Sequence, residues 1–219
     1  MTTRTFTFAP GEFYHLYNRG VEKRSIYLDH ADHRRFLELL YIANTTKSTD
    51  VRSISRQHDS VYEWDRGENL VSIGAYCLMP NHFHILLTPL RENGISTFMN
   101  KLGTSYSMYF NKKYTRAGAL FEGKFKAKHA NSDQYLKYLF SYIHLNPVKL
   151  IQSDWKERGI SNIDKGYEYA SSFPYSSLRD YQDKLRQERV IIDTKPFPDY
   201  FETVAMRKSE LMEWLNLPN

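Results

Sequence analysis

Two apolar runs, Val71 to Leu78 and His82 to Thr88, flank Met79-Pro80-Asn81, and this stretch constrains the fold more than any other part of the chain. Pro and Asn supply the dihedrals of a tight turn, so the runs read as an antiparallel pair of strands. Side chains on a strand alternate faces, so His82 and His84 project to the same side while Phe83 points the other way into packing. Ile85, Leu86 and Leu87 make the second strand partly buried, where polar side chains need partners, and a metal ion is one such partner. A His-x-His pair taken by itself is more often two polar residues on a solvated face.

The flanking elements come in mixed order. Phe13 to Asn18 reads as a first strand closed by Arg19-Gly20. Asp32 precedes a helical run carrying Phe36, Leu39, Leu40 and Ala43. A polar insert from about Thr45 to Asn69 follows, with a short candidate strand at Val61 to Trp64. Ser96 is placed to cap a helix over 97–114, and Leu120 to Ala130 alternates loosely as a further strand. Ser132 caps the next helix, with Asp133 in its first turn, and Pro147 stops it by disfavouring the helical conformation at Asn146. This order predicts α+β: an antiparallel sheet with helices mainly on one face. Residues 1–152 are taken as the core, with the insert at about 45–69. Residues 153–219, without clear periodicity until about Phe201 to Leu215, are taken as a C-terminal extension packed on it.

Composition limits the possibilities. The 219 residues suffice for one domain with an appendage, and a net charge of +5 with a pI near 9.1 suits a polyanionic partner. The single Cys77 excludes an internal disulfide and fits a reducing cytoplasm. The opening Met-Thr-Thr-Arg-Thr-Phe-Thr-Phe has no apolar core of signal-peptide length, and no stretch approaches a membrane span, so a cytoplasmic protein without membrane contact is expected. From Lys101 to Lys128 seven basic residues, Lys101, Lys112, Lys113, Arg116, Lys124, Lys126 and Lys128, stand against the single acid Glu122. They are interleaved with Tyr106, Tyr109, Tyr114, Phe121 and Phe125, a pattern suited to phosphates and unpaired bases, although a solvated helix face looks the same. Tyr14, Tyr17, Arg19 and Arg24 are candidates to extend that surface.

In Ser141-Tyr142-Ile143-His144-Leu145-Asn146-Pro147, residues four apart share a helix face, so Tyr142 and Asn146 present a phenol and an amide together. His144 points off that face and is left out of the set. Unaided, Tyr142 in an aromatic-rich helix reads as core and Asn146 as a helix end. His15 is balanced between a structural role and an approach to the site.

Several stretches in this order resemble one family. They are Tyr14-His15-Leu16-Tyr17-Asn18-Arg19-Gly20, Tyr76-Cys77-Leu78-Met79-Pro80-Asn81-His82-Phe83-His84, Phe121-Glu122-Gly123-Lys124-Phe125-Lys126, Tyr142-Ile143-His144-Leu145-Asn146-Pro147-Val148 and Tyr175-Ser176-Ser177. Over roughly Phe13 to Tyr181 the chain resembles the REP-associated tyrosine transposases, the insertion-sequence-like branch of single-tyrosine HUH transposases. It departs from them in Lys124, where they often carry Arg, and in the length of the insert.

The resemblance implies a ferredoxin-like HUH nuclease fold and a transposase that cleaves and rejoins single-stranded or hairpin DNA through a covalent 5′-phosphotyrosine. Tyr142 would be the nucleophile, and His82, His84 and Asn146 would hold Mg²⁺ or Mn²⁺. The basic stretch, with Tyr14 and Arg19, would contact DNA, and a monomer is favoured over a homodimer. Two other functions share these residues: a non-catalytic regulator of the same fold that binds structured nucleic acid, and a metal phosphodiesterase that uses water.

Overall fold

The computed structural model describes residues 6–182, 185–200 and 203–216. The strands are β1 (Tyr14–Arg19), β2 (Val71–Met79), β3 (His82–Pro89) and β4 (Lys126–His129). The helices are α1 (His30–Ile42), α2 (Val51–Gln57), α3 (Gly94–Lys113), α4 (Asp133–Leu145), α5 (Trp155–Arg158), α6 (Ile163–Ser172) and α7 (Val204–Asn216). The four strands form one antiparallel sheet in the order β2-β3-β1-β4, so the α+β expectation holds. No helix among the described residues is long and apolar enough to cross a membrane.

The expected hairpin is the centre of the molecule. All nine residues of β2 are buried, and in β3 every residue but His82 is. On one face Tyr14, Leu16, Tyr76, Leu78, Phe83, Ile85 and Leu87 meet Phe36 and Leu40 of α1 and Phe98, Leu102 and Tyr106 of α3. On the other, Ala75, Cys77, Met79 and Leu86 meet Leu136, Leu139 and Ile143 of α4. The helices α1 and α3 thus share one face, and α4 packs on the opposite one. Each fully buried Leu or Ile in these layers contributes about 2 kcal/mol. At Gly74 the β2–β3 register shifts, and a Cβ there would come within 2.7 Å of the Phe197 ring, which closes over the bulge.

Several boundaries differ from the sequence reading for local reasons. Asp29, not Asp32, caps α1, its carboxylate accepting from Asp32 N at 2.9 Å. Asp32 is fully buried instead, accepting from Leu28 N (2.8 Å), Tyr114 Oη (2.8 Å), Tyr109 Oη (3.0 Å) and Lys113 Nζ (2.7 Å). Asn93 in the left-handed region, rather than Ser96, precedes α3. Ser132 caps α4 as expected (Oγ accepting from Tyr135 N, 3.2 Å); α4 does end before Pro147, but Asn146 keeps helical dihedrals (φ −53°, ψ −39°), against the expectation, and opens the 3₁₀ turn Asn146–Leu150. The insert carries α2, and Val61–Glu63 is a 3₁₀ turn rather than a strand. Of the stretch from Leu120 to Ala130 only Lys126–His129 joins the sheet, while Phe121 makes a single bridge to Gly20.

The chain beyond Gln152 is also more regular than its pattern suggests. The α6 helix is capped by Asn162 and buries the small residues Gly166 and Ala170, which apolar periodicity does not reveal. A third cluster joins Leu145, Val148, Trp155, Ala170, Leu178, Leu211 and Leu215. Phe201, where the last helix was expected to begin, lies outside the described residues. Along β2, the sheet edge is covered by this part of the chain: Leu78 N donates to Tyr175 O (3.0 Å), Cys77 bridges Ser176, and Tyr76 N donates to Ser177 Oγ (2.9 Å).

The Asp32 cluster ties α1 to the end of α3, and removing the carboxylate takes away the shared partner of Leu28 N, two half-buried phenols and the Lys113 ammonium, which keeps Asp29. Asp32→Ala is expected to cost about 2 kcal/mol of stability, read from the shift of the urea unfolding midpoint.

Candidate active site

The sheet register assembles the site. Directly paired residues of an antiparallel sheet share a face, so β4, β1, β3 and β2 contribute two four-residue rows to the side covered by α4. One row is Lys128, His15, Leu86 and Ala75, and the next is Lys126, Tyr17, His84 and Cys77. Arg19, His82 and Met79 form the row nearest the β2–β3 turn. His82 and His84 do project together, their ring centroids 4.9 Å apart. Tyr142 comes down from α4 onto this surface, its ring centroid 5.4 Å from that of His84 and 5.9 Å from that of His15.

Hydrogen bonds leave the donor atoms of the histidines in a defined state. Asn81 Nδ2 donates to Lys23 O (3.0 Å), so its Oδ1 faces His82 Nδ1 at 2.6 Å, and that nitrogen carries the proton. His84 Nδ1 lies 2.8 Å from His15 Nε2. With each Nδ1 engaged, the Nε2 atoms are the ones left for a ligand, and a partner on the second ring nitrogen is what orients a metal-binding imidazole. Burial, reinforced by Lys149 and Arg19, pushes His82 down to about 4, and burial with Lys128 does the same to His15. His84 is held well below the usual range by burial, then by His15 and His82. All three are therefore neutral at pH 7, the form a metal requires.

Asn146 stands one helical turn after Tyr142, at the end of α4. Its Nδ2 donates to Tyr142 O (3.1 Å) and its Oδ1 is buried without a hydrogen-bond partner. An unpaired buried acceptor of this kind costs on the order of 1–3 kcal/mol, and a cation ligand would relieve it. Among the described residues no group of three or more His, Cys, Asp or Glu side chains is arranged to hold a metal, and the donors that could be offered to a cation are the two imidazoles and this amide oxygen. The mixed nitrogen and oxygen set, completed by phosphate oxygens and water, suits Mg²⁺ or Mn²⁺. His144, as expected, is off this face: it is fully buried, with Nε2 2.8 Å from Ser177 Oγ.

The predicted DNA contacts separate into groups. Lys126 and Lys128 extend from β4 onto the tyrosine face, and Lys124 is exposed just before them. Arg19 lies on the same face, paired with Glu122 at 2.8 Å. Lys112 is exposed on α3, and Arg116 donates to Asn111 Oδ1 at 3.0 Å. Lys101 and Lys113 have internal work instead. Lys101 Nζ donates to Thr45 O (2.8 Å) and Lys47 O (2.7 Å), and Lys113 pairs with Asp29 and Asp32 at 2.7 Å each. Tyr14 is 1% exposed, on the α1 and α3 side, and its hydroxyl receives a hydrogen bond from Ala9 N at 2.9 Å. It cannot stack on a base, which corrects the sequence reading: a strand neighbour of His15 necessarily faces the opposite way.

Two residues went unassigned in the sequence. His15 belongs beside His84, and the signal was the strand alternation of Tyr14 to Arg19 without the knowledge of which strand it pairs with. Lys156 places its Nζ 3.8 Å from the centre of the Tyr142 ring. No periodic pattern marks it.

The model of the family described as "Transposase IS200 like" matches residues 66–146, from before β2 to Asn146. The matched segment contains His82, His84, Tyr142 and Asn146. A solved structure described as the REP-associated tyrosine transposase bound to a REP hairpin aligns with a TM-score of 0.49 and 14% identity, covering 83% of this chain and 85% of its own. No curated protein matches the chain.

The buried histidines make stability pH-dependent. His15, His33 and His82 are lowered to about 4 from an ordinary 6.5, so below 6.5 the unfolded chain takes up protons that the folded one refuses. Their contribution is intact above pH 6.5 and is lost progressively towards pH 4. The urea midpoint is expected to be lower at pH 5 than at pH 7, and an equal midpoint at both would contradict buried neutral imidazoles.

Proposed function

We propose that the protein is a transposase that cleaves and rejoins single-stranded or hairpin DNA by way of a covalent 5′-phosphotyrosine at Tyr142. The observation that carries the reading is the meeting of a phenol with two neutral histidines on one sheet face, with an amide oxygen that has no partner one helical turn after the phenol, within a segment matched by a transposase family. In the forward step a bond forms between Tyr142 Oη and phosphorus, and the bond from phosphorus to the 3′ oxygen breaks. The electron pair leaves with that oxygen, which takes up a proton to become a hydroxyl, and the phenol proton passes to solvent. A 3′-hydroxyl from another strand reverses the attack, so no ATP is needed.

The chain's own residues orient these groups. Asn81 and His15 fix the rings of His82 and His84, and the last turn of α4 carries Tyr142, with Asn146 at the helix end bonding back to its carbonyl. A divalent cation, Mg²⁺ or Mn²⁺, bound by His82, His84 and Asn146 would supply Lewis-acid polarisation of the scissile phosphate. Lys124, Lys126 and Lys128 lie along the β4 edge of the same face, where a strand entering the site would pass, with Arg19 and Lys112 as further contacts. We further propose that it acts as a monomer in the cytoplasm, where its one cysteine stays reduced.

The test is covalent trapping. Wild-type protein incubated with 3′-labelled hairpin DNA and Mn²⁺ is expected to give a shifted protein band on denaturing electrophoresis, and Tyr142→Phe none, with hairpin binding preserved. Tyr138→Phe, one helical turn earlier, should retain the band. Cleavage without any adduct would identify a water-using phosphodiesterase, and binding without cleavage a regulator. His82→Ala and His84→Ala should each abolish the band while leaving hairpin affinity within a few-fold, and Asn146→Ala should weaken it.

The proposed DNA surface has its own check. The triple change Lys124→Gln, Lys126→Gln, Lys128→Gln is expected to lower hairpin affinity and to reduce the slope of log affinity against log salt by about two to three, because about 0.9 counterion is released per phosphate contact. Unchanged affinity at every salt concentration would place the footprint elsewhere.

A further inference from the structure

Beyond the tyrosine, the histidines and the amide, the site contains a cation that comes from outside residues 66–146. The chain leaves Asn146 through the 3₁₀ turn Asn146–Leu150 and enters α5, whose first residue, Trp155, is 3% exposed within the cluster of Leu145, Val148, Ala170, Leu178, Leu211 and Leu215. This anchor fixes the next side chain. Lys156 extends over the face of the Tyr142 ring, with Nζ 3.8 Å from its centre. That is cation–π range, and a lysine so held is drawn to the negative face of the phenol.

Charge around Lys156 is one-sided. It is half-buried, and among the described residues no carboxylate lies within ion-pair distance of it or of Lys149, its nearest cationic neighbour. Burial and then Lys149 lower its ammonium to about 8, Glu157 opposing weakly, so it remains mostly protonated at pH 7. A partly buried cation without a counter-charge is unfavourable unless an anion arrives. The phosphodiester expected at Tyr142 is such an anion.

Resting on the tyrosine reading, we propose that Lys156 is a positioning residue of that reaction: its ammonium seats the Tyr142 ring and supplies positive charge where the phenol oxygen and the phosphate under attack become more negative. The segment after Gln152 therefore contributes a working group to the site, in addition to covering the β2 edge. The role is electrostatic and orienting. Lys156 forms no covalent bond and takes no proton in this assignment.

The experiment has a spectroscopic arm and a kinetic arm on the full chain. By NMR, the Lys156 ε-methylene protons are expected to be shifted upfield by the Tyr142 ring current, and Tyr142→Leu should return them to the ordinary lysine range. In single-turnover trapping on hairpin DNA with Mn²⁺ at pH 7, Lys156→Gln is expected to slow adduct formation about ten- to a hundredfold, in line with a partly desolvated cation–π contact. Its Tm and hairpin affinity should stay near wild type, and Lys156→Arg, which keeps the charge, should recover the rate to within a few-fold. An unshifted ε-methylene signal would overturn the proposal. So would a Lys156→Gln rate equal to wild type, or an Arg variant as slow as the Gln one. If Lys156→Gln fails to fold, the Arg variant and the NMR shift still decide. Absence of any adduct in the wild type, with the ring-current shift present, would instead remove the tyrosine reading, and this role with it.

Discussion

The register of β3 against its two neighbours is the constraint on which the rest depends. Because side chains alternate with a period of two, this strand can serve the α1 and α3 layer with Phe83, Ile85 and Leu87 and the α4 layer with His82, His84 and Leu86, with no residue to spare. A slip of one residue would press both histidines into the aromatic cluster of Phe36 and Tyr106 and expose Phe83 to the tyrosine face. The apolar half of the strand therefore holds the polar half in place. The pairing of His15 with Leu86 and of Tyr17 with His84 then sets β1 in the one register that lets His15 meet His84.

The second periodicity is that of α4. Leu136, Leu139 and Ile143 bind the helix to Ala75, Cys77, Met79 and Leu86, and that same contact aims Tyr142 at the histidines, one step around the helix from Ile143. Asn146 falls at the helix end, where its amide bonds back to Tyr142 O and its own oxygen stays unpaired. A strand face and a helix end thus meet at a point where local rules of satisfaction are broken: neutral buried imidazoles, an orphan acceptor and an uncompensated ammonium. Orphan buried polar atoms occur elsewhere too, at Tyr62 Oη and Thr88 Oγ1 for example, and what sets this place apart is that three neutral imidazoles lie there beside a phenol and a lysine ammonium.

Much of this was legible in the sequence because it depends on near neighbours. The hairpin, the shared face of His82 and His84, the Ser132 cap and the Tyr142 and Asn146 spacing all follow from periods of two and 3.6. What failed depends on contacts distant in the chain. Lys113 looked like part of a DNA footprint until α3 met Asp29 and Asp32, some eighty positions earlier, and Lys101 until the insert folded over it. Tyr14 was taken for surface because its partner residues Phe6 and Phe8 lie in a segment without strand or helix pattern. The α6 helix escaped notice because it packs through Gly166 and Ala170, residues that carry no apolar signal.

The part of the chain least readable from its pattern is also the part that couples the site to the sheet edge. Ser177 accepts from Tyr76 N in β2 and sits 2.8 Å from His144 Nε2 in α4, so one hydroxyl joins the strand and the helix that bring the histidines and the tyrosine together. Arg186 reinforces that joint through Asp180 (2.6 Å) and the Tyr76 hydroxyl (2.9 Å). The apolar cluster that buries Trp155 begins at Leu145, the last residue of α4, so the position of Lys156 is referred to the same helix that carries Tyr142. Any movement of α4 relative to the sheet would consequently shift the nucleophile, its amide neighbour and its cation as one body, leaving the two histidines as the fixed side of the site.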